Sequence, residues 1–161
     1  MRSGDLVVLD ANLVPDALAE LCEWAHSAGA VTLFEGVSQA KAVRSRAAVR
    51  HVRLVKADAL EFPALAGDDV SVWMAAQNID HVLATRGEDG ATLHSRDGAI
   101  NRYPVDNPVA AADTTGAGDV MMALVAGAMA RGRSADEAVA AAVPGVSAYL
   151  LERHRMLEES T

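Results

Sequence analysis

The chain has 161 residues, of which 51% are hydrophobic and 22% charged, and its formal net charge is −8. This length suits one domain with a real hydrophobic core, and the composition is that of a globular protein rather than a disordered one. The negative charge argues against a nucleic-acid partner, because neutralising phosphates requires clustered lysine and arginine. The single cysteine, Cys22, excludes an internal disulfide and is typical of a reducing compartment.

The first residues and the longest apolar run indicate where the protein is expected to work. Residues 1–10 read "MRSGDLVVLD" and reach an aspartate before any long apolar run develops, so we expect no signal peptide. The apolar stretch at 120–130 is too short to span a bilayer, which takes about 20 residues. The sequence therefore predicts a cytoplasmic protein without a membrane partner.

Short apolar runs alternate with helical patterns through the first half of the chain. Strands are predicted at 6–10, 31–34, 52–56 and 81–85, and helices at 15–29, 39–50, 57–67 and 68–78. This order is typical of an α/β fold with a mainly parallel sheet and helices on its faces. Because these strands lack polar alternation, we expect both faces of the sheet to be buried.

The pattern changes after residue 85. Two short strands, within 91–95 and 99–105, are separated by glycine-containing turns and predict an antiparallel ribbon. Two helices follow, one starting at 116–119 and one at Ser134, where Glu137 completes a capping box. Pro144 and the glycine after it predict a break or a new helix start, since proline inside a helix costs about 3 kcal/mol. We expect residues 1–161 to form a single domain.

The motif "DTTGAGD" at 113–119 immediately precedes the apolar run. Gly116 and Gly118 permit backbone conformations closed to other residues and can present successive N–H groups. A helix that begins there leaves its first N–H groups without internal partners and directs its positive dipole end toward them. The motif therefore predicts an anion site suited to a phosphate.

Asp119 stands next to this predicted phosphate site. A carboxylate beside a phosphate repels it, unless the carboxylate accepts a proton from an attacking hydroxyl. The alternative is a structural role, in which Asp119 stabilises the helix dipole as an acid of the first turn. The spacing of these residues leaves both interpretations open.

Three further polar clusters follow predicted strands: "DAN" at 10–12, "KADALE" at 56–61 and "TRGEDGA" at 85–91. Asp58 and Glu61 are spaced to share one helical face and could hold Mg²⁺ through water. They could equally form a helix cap and its capping-box partner. The segment 85–91 suits the binding of a nucleotide at the carboxyl end of a strand. The same residues could equally form a simple hairpin connection.

The order of these motifs resembles the ribokinase (PfkB) family of sugar and nucleoside kinases, and "DTTGAGD" resembles the second signature of that family. The resemblance implies a ribokinase-like three-layer α/β/α fold and ATP-dependent phosphoryl transfer to a hydroxyl of a sugar or nucleoside. Asp119 would be the catalytic base, and Gly116, Ala117 and Gly118 would form the anion hole that neutralises the transferred phosphoryl group.

The resemblance also implies binding sites for ATP and metal ions. Thr85, Arg86, Gly87 and Gly90 would line the phosphates and ribose of ATP. Asp58 and Glu61 match the Asn-x-x-Glu motif that organises Mg²⁺ and phosphate, with a charged residue in place of the usual asparagine. Asp113 would lie near a monovalent cation.

The segment "LFEGVSQAKA" at 33–42 is similar to pseudouridine kinases, which narrows the expected substrate. The match covers essentially all of the chain but only the C-terminal half of a family member, so the N-terminal part with the lid and most sugar contacts is expected to be absent. A second hypothesis is therefore a non-catalytic remnant that binds nucleotide or a partner chain. A sheet left open by the missing strands would favour a homo-oligomer or a complementing chain.

Overall fold

Within residues 1–106 and 114–159, six strands form one sheet, and their order in space follows their order in the chain. They are β1 (Leu6–Asp10), β2 (Val31–Glu35), β3 (Leu54–Asp58), β4 (His81–Thr85), β5 (Ala91–Ser95) and β6 (Ile100–Tyr103). Strands β1 to β4 are parallel, whereas β5 and β6 add to the sheet as an antiparallel ribbon. This computed structural model describes residues 1–106 and 114–159. The predicted α/β fold with a mainly parallel sheet is confirmed.

The helices α1 to α4 connect the parallel strands, and α5 and α6 follow the ribbon. Their bounds are α1 (Pro15–Ser27), α2 (Gln39–Ser45), α3 (Glu61–Ala66), α4 (Val70–Gln77), α5 (Ala117–Ala130) and α6 (Ala135–Glu158). The helix predicted at 39–50 ends at Ser45, and the strand predicted at 52–56 lies at 54–58. The reason is a turn at His51, which adopts φ 55° and donates its N–H to the Gln77 carbonyl.

The sheet separates two hydrophobic clusters, because neighbouring residues of each central strand face opposite sides. On β2, Phe34 joins the cluster beneath α1 to α4, whereas Leu33 joins the cluster beneath α5 and α6. Leu83 of β4 repeats the pattern on the second side. The buried Cys22 of α1 belongs to the first cluster. This arrangement gives three layers, in which the sheet lies between two sets of helices.

The predicted break at Pro144 is wrong, since α6 runs unbroken past this residue. Pro144 has no N–H to donate to the backbone carbonyl one helical turn before it. Because this side of the helix is exposed, that carbonyl remains accessible to water. The adjacent Gly145 allows α5 to approach closely, because a Cβ here would lie 2.7 Å from Leu124 Cδ1. The Pro-Gly pair therefore marks a close helix contact and not a helix end.

The start of α6 is fixed as the sequence predicts. Ser134 Oγ accepts the N–H of Glu137, and Glu137 Oε2 accepts the N–H of Ser134. The first turn also contacts the ribbon, because the Tyr103 hydroxyl donates to Asp136 Oδ1. These bonds tie α6 to β6. No helix within the described ranges is long and apolar enough to span a bilayer.

Candidate functional site

Polar residues end the four parallel strands at one edge of the sheet. Asp10 pairs in register with Glu35, and Asp58 pairs in register with Thr85. Because the strands are parallel, their carboxyl ends meet at the same edge. The polar clusters that follow the predicted strands therefore lie at one edge of the sheet.

A cavity of about 540 Å³ opens at this edge. Its walls come from the ends of β2, β3 and β4, the turn before β5, the start of α5 and one face of α6. The lining residues include Glu35, Val37, Lys56, Asp58, Glu61, Thr85, Gly87, Gly90, Thr114, Gly116, Ala117, Gly118, Asp119, Val143, Val146, Ser147 and Leu150. The volume lies within the range of small-molecule sites, about 300–1,000 Å³.

The start of α5 presents backbone donors to the cavity. Gly116 precedes the helix with φ 83°, a conformation that glycine adopts without strain. The N–H of Ala117 donates to the Thr114 carbonyl at 3.1 Å and is therefore already engaged. The N–H groups of Gly118 and Asp119 belong to the first turn, where the helix supplies no acceptor. The available donors of the predicted anion hole are thus centred on Gly118 and Asp119.

The turn before α5 is held by a tyrosine of α6. The Tyr149 hydroxyl donates to the Thr115 carbonyl at 3.2 Å. A Cβ on Gly116 would lie 3.0 Å from the same hydroxyl, so the turn fits closely against this side chain. Tyr149 was not among the residues singled out by the sequence, because its partner is a backbone atom distant in the chain.

Asp58 and Glu61 form a reciprocal pair at the wall of the cavity. Asp58 Oδ1 accepts the N–H groups of Leu60 and Glu61, and Glu61 Oε2 accepts the N–H of Asp58. Asp58 ends β3 and Glu61 begins α3, so they do not share a helical face as the spacing suggested. Burial raises the pKa of Glu61, while the hydrogen bond from Asp58 N–H opposes that rise. The capping interaction is present, and one oxygen of each carboxylate remains outside these bonds.

Glu35 and Lys56 form a buried ion pair on adjacent strands. Lys56 Nζ lies 2.7 Å from Glu35 Oε1, and the two residues are 5% and 7% exposed respectively. Burial raises the pKa of Glu35 from 4.5 to about 7, and the nearby Lys56 ammonium counteracts part of that rise. The second oxygen, Glu35 Oε2, is buried and finds no hydrogen-bond partner among the described residues.

This raised pKa predicts a pH-dependent contribution of Glu35 to stability. The folded chain binds the Glu35 proton more tightly than the unfolded chain, so protonation favours folding below about pH 7. That contribution is lost as the pH rises from 4.5 through about 7, and amounts to on the order of 3 kcal/mol. Denaturant unfolding at several pH values should show a shallower decline for Glu35→Gln than for the wild type. Parallel stability profiles for the two proteins would contradict the assignment.

Val37 gives the rim of the cavity a strained backbone. This β-branched residue adopts φ 67°, and the N–H of Ser38 donates to the Gly36 carbonyl across it at 2.8 Å. The pattern is the rare γ-turn with positive φ. Backbone strain of this kind concentrates at binding sites, where it fixes the shape of the wall.

The residues of the segment that follows β4 line two different depressions of the surface. Thr85, Gly87 and Gly90 line the cavity, whereas Arg86 lies at a separate shallow depression beside it. A Cβ on Gly90 would lie 2.1 Å from the Tyr103 carbonyl oxygen, so the turn packs directly on the ribbon backbone. The hairpin interpretation is correct for connectivity. The predicted role of these four residues in lining ATP stays a prediction.

The remaining predictions concern Asp113 and the "DAN" cluster at 10–12. Asp113 lies outside the described residues, so its predicted role beside a monovalent cation stays a prediction. The "DAN" cluster ends β1 at the expected edge but does not line the cavity. Asn12 Oδ1 instead accepts a hydrogen bond from the Lys41 ammonium at 2.5 Å, and the backbone N–H of Asn12 donates to Asp10 Oδ1.

Sequence reasoning missed the Glu35–Lys56 pair. Lys56 stood in a predicted strand and Glu35 directly followed another, but only their register shows that the side chains meet. The available signal was a lysine flanked by apolar residues at the end of a predicted strand, since an unpaired lysine is almost never buried. No cluster of three metal-ligating side chains occurs within 1–106 and 114–159.

Residues 1–153 match the family model described as pfkB family carbohydrate kinase. The chain belongs to the pfkB family of carbohydrate kinases. The match covers nearly the whole sequence and includes every part of the cavity. No curated protein matches this chain significantly.

Solved structures share the pfkB fold with this chain. Phosphofructokinase-2 from Escherichia coli is 21% identical with a TM-score of 0.74, covering 92% of this chain and 52% of its own. A carbohydrate kinase from Agrobacterium tumefaciens is 28% identical with a TM-score of 0.72, covering 89% and 47%. Adenosine kinase from Sinorhizobium meliloti is 22% identical with a TM-score of 0.73, covering 89% and 48%. The chain therefore spans about half the length of these structures.

Proposed function

We propose that this pfkB chain binds Mg²⁺-ATP in the cavity and transfers the terminal phosphoryl group to a hydroxyl of a sugar or nucleoside. The observation that carries the proposal is the position of Asp119 beside the first-turn donors of α5, for which the described residues offer no acceptor. A carboxylate and an anion site adjoin there, which is what hydroxyl activation next to a phosphate requires. Family membership supports the same reaction class.

In the proposed reaction, the substrate hydroxyl oxygen attacks the terminal phosphorus as the bond to the bridging oxygen breaks. Asp119 accepts the hydroxyl proton, and ADP carries away the electron pair of the broken bond. Charge on the transferred group is stabilised by the N–H groups of Gly118 and Asp119 and by the dipole of α5. Gly116 and Ala117 shape this anion hole, and the Tyr149–Thr115 hydrogen bond holds its turn in place.

Asp58 and Glu61 fit a role in holding Mg²⁺ through water. Each has one carboxylate oxygen outside the reciprocal hydrogen bonds, and both residues line the cavity. Mg²⁺ keeps much of its hydration and uses one or two carboxylates together with substrate phosphates. The ion would supply positive charge to the phosphates. Asp113 is proposed to lie near a monovalent cation.

Thr85, Gly87 and Gly90 are proposed to line the nucleotide, together with the apolar face of α6. Val143, Val146 and Leu150 provide this face. An apolar wall opposite a glycine turn suits a planar base, whose burial needs few polar partners. Arg86, at the adjacent depression, would reach a nucleotide only at its outer edge.

The substrate is proposed to be a sugar or nucleoside, with pseudouridine among the candidates. The support is the segment "LFEGVSQAKA", which runs from β2 into α2 and contributes Glu35 and Val37 to the cavity wall. A strained, rigid rim can discriminate substrate shape.

A coupled assay for ADP release tests the proposal. Purified chain is incubated with Mg²⁺-ATP and, separately, ribose, fructose 6-phosphate, adenosine and pseudouridine. Substrate-dependent ADP release supports phosphoryl transfer, and omission of Mg²⁺ should abolish it. Binding of ATP without release in any mixture contradicts turnover by this chain alone, while no binding contradicts the nucleotide site itself.

The alternative, a non-catalytic chain that binds nucleotide or a partner, is favoured by β1. Within the part of the chain that the structure describes, this strand pairs with β2 alone, and Val8 within it is 45% exposed. An open edge with an exposed apolar residue is suited to pairing with another strand. We propose that this edge joins a second copy or a complementing chain. Sedimentation of the purified chain, alone and during turnover, distinguishes a monomeric enzyme from an assembly.

A further inference from the structure

Lys56 is a buried charge whose position is not explained by stability. It lies on β3 between the apolar residues Val55 and Ala57, and its side chain is 6% exposed. Its ion pair with Glu35 replaces hydration that both groups lose on folding. Removing two charges from water usually costs as much as their attraction returns, so a buried pair is weak evidence of stabilisation.

The ammonium of Lys56 lies against the start of α5. A Cβ on Gly118 would lie 2.6 Å from Lys56 Nζ, so the absence of a side chain at Gly118 makes room for the charge. Lys56 and Asp119 both line the cavity. The positive charge therefore adjoins the first-turn N–H groups that form the proposed anion hole.

An ammonium has three donors, and Glu35 Oε1 accepts one of them. Among the described residues, Glu35 is the hydrogen-bond partner of the ammonium, and it contacts the ammonium from the side of the sheet. We propose that Lys56 is a further catalytic residue that donates to the terminal phosphate of the bound nucleotide. This inference rests on the proposed function and adds a fixed positive charge to its anion hole.

Such a contact would distinguish ATP from ADP. The transferred phosphoryl group spreads negative charge over its oxygens in the transition state, and a compact ammonium beside them stabilises that charge. ADP lacks the terminal phosphate, so its affinity should depend little on Lys56. The ratio of the two affinities therefore measures the contact separately from nucleotide binding in general.

The main test variant removes both charges of the pair together, so that neither is left buried alone. Glu35→Gln/Lys56→Met removes both charges, and Glu35→Gln keeps the lysine as the matched control. Calorimetric titration with ADP and with the non-hydrolysable β,γ-imido ATP, both with Mg²⁺, gives the affinity ratio. Thermal unfolding confirms that each variant is folded.

The double variant is expected to lose roughly ten- to hundredfold of its preference for the ATP analogue, the size of one charge-assisted hydrogen bond. Its ADP affinity should change by less than about threefold, and Glu35→Gln should keep the preference. An unchanged ratio in the double variant overturns the role of Lys56 and leaves the proposed function standing. Failure of the wild type to bind either nucleotide overturns both.

Gly118→Ala displaces the ammonium without removing it, because the new methyl would occupy the position 2.6 Å from Nζ. We expect a loss of ATP-analogue preference of about tenfold, with thermal stability kept, since alanine favours helix over glycine. Gly127→Ala in the same helix is the control, because its Cβ makes only an ordinary 3.5 Å contact with Arg131. Equal preferences in Gly118→Ala and Gly127→Ala would contradict this placement of the ammonium.

Discussion

Replacing Asp119 with asparagine is expected to lower the turnover of ATP by about 10²–10⁴-fold, the usual contribution of a general base. Asparagine keeps the shape of the side chain but cannot take the proton of the substrate hydroxyl. It also removes a negative charge beside the anion site, so ATP affinity should be kept or become tighter. Steady-state kinetics and calorimetric titration of the same preparation separate the two effects.

Asp16→Asn is the matched control for this change. Asp16 is also an exposed acid in the first turn of a helix, α1, and it does not line the cavity. Each substitution should cost about 0.3–1 kcal/mol of dipole stabilisation, so thermal stability should fall slightly in both. Only Asp119→Asn should lose turnover. Turnover by Asp119→Asn within a factor of about three of the wild type would reduce Asp119 to a structural acid.

Replacing Gly90 with alanine should give the largest loss of stability among the glycines of the ribbon. Gly90 has φ 84°, and a Cβ would lie 2.1 Å from the Tyr103 carbonyl oxygen. Left-handed strain costs about 1–2 kcal/mol, and forcing backbone apart adds about 1–3 kcal/mol. The expected total of about 2–5 kcal/mol should be visible as a lower denaturant midpoint.

Gly98→Ala separates the two causes of this loss. Gly98 lies in the other turn of the ribbon with φ 89°, and a Cβ there meets nothing within 4 Å. It should therefore lose only the conformational part, about 1–2 kcal/mol. Equal losses of stability for Gly90→Ala and Gly98→Ala would show that the backbone of β6 moves aside without a measurable cost.

The sequence was sufficient for the order of strands and helices, because the two buried faces leave continuous apolar runs. It also placed the start of α5, since glycine, acid and apolar residues occur there in an order that begins a helix. The capping box of Ser134 and Glu137 is local, and local hydrogen bonds are readable from spacing. Asp119 was likewise accessible to sequence reasoning, although its catalytic role stays a prediction.

Features that depend on strand register or packing were not accessible. The Glu35–Lys56 pair forms only because β2 and β3 align those residues, and a sequence does not state its register. Pro144 was predicted to break α6, but the packing of α5 and α6 outweighs one missing hydrogen bond. Asp58 was assigned to a helix face, whereas the chain stays extended through it and turns afterwards.

The agreement between strand order and chain order has a consequence for how the protein is made. Each strand from β2 to β6 can pair with a neighbour that the ribosome has already released, so the sheet can grow by sequential addition. The donors of α5 and the wall of α6 come from the last third of the chain. The pocket can therefore close only after the sheet is in place, and a chain that stops at about residue 105 would keep every strand pairing while lacking the α5 and α6 walls of the cavity.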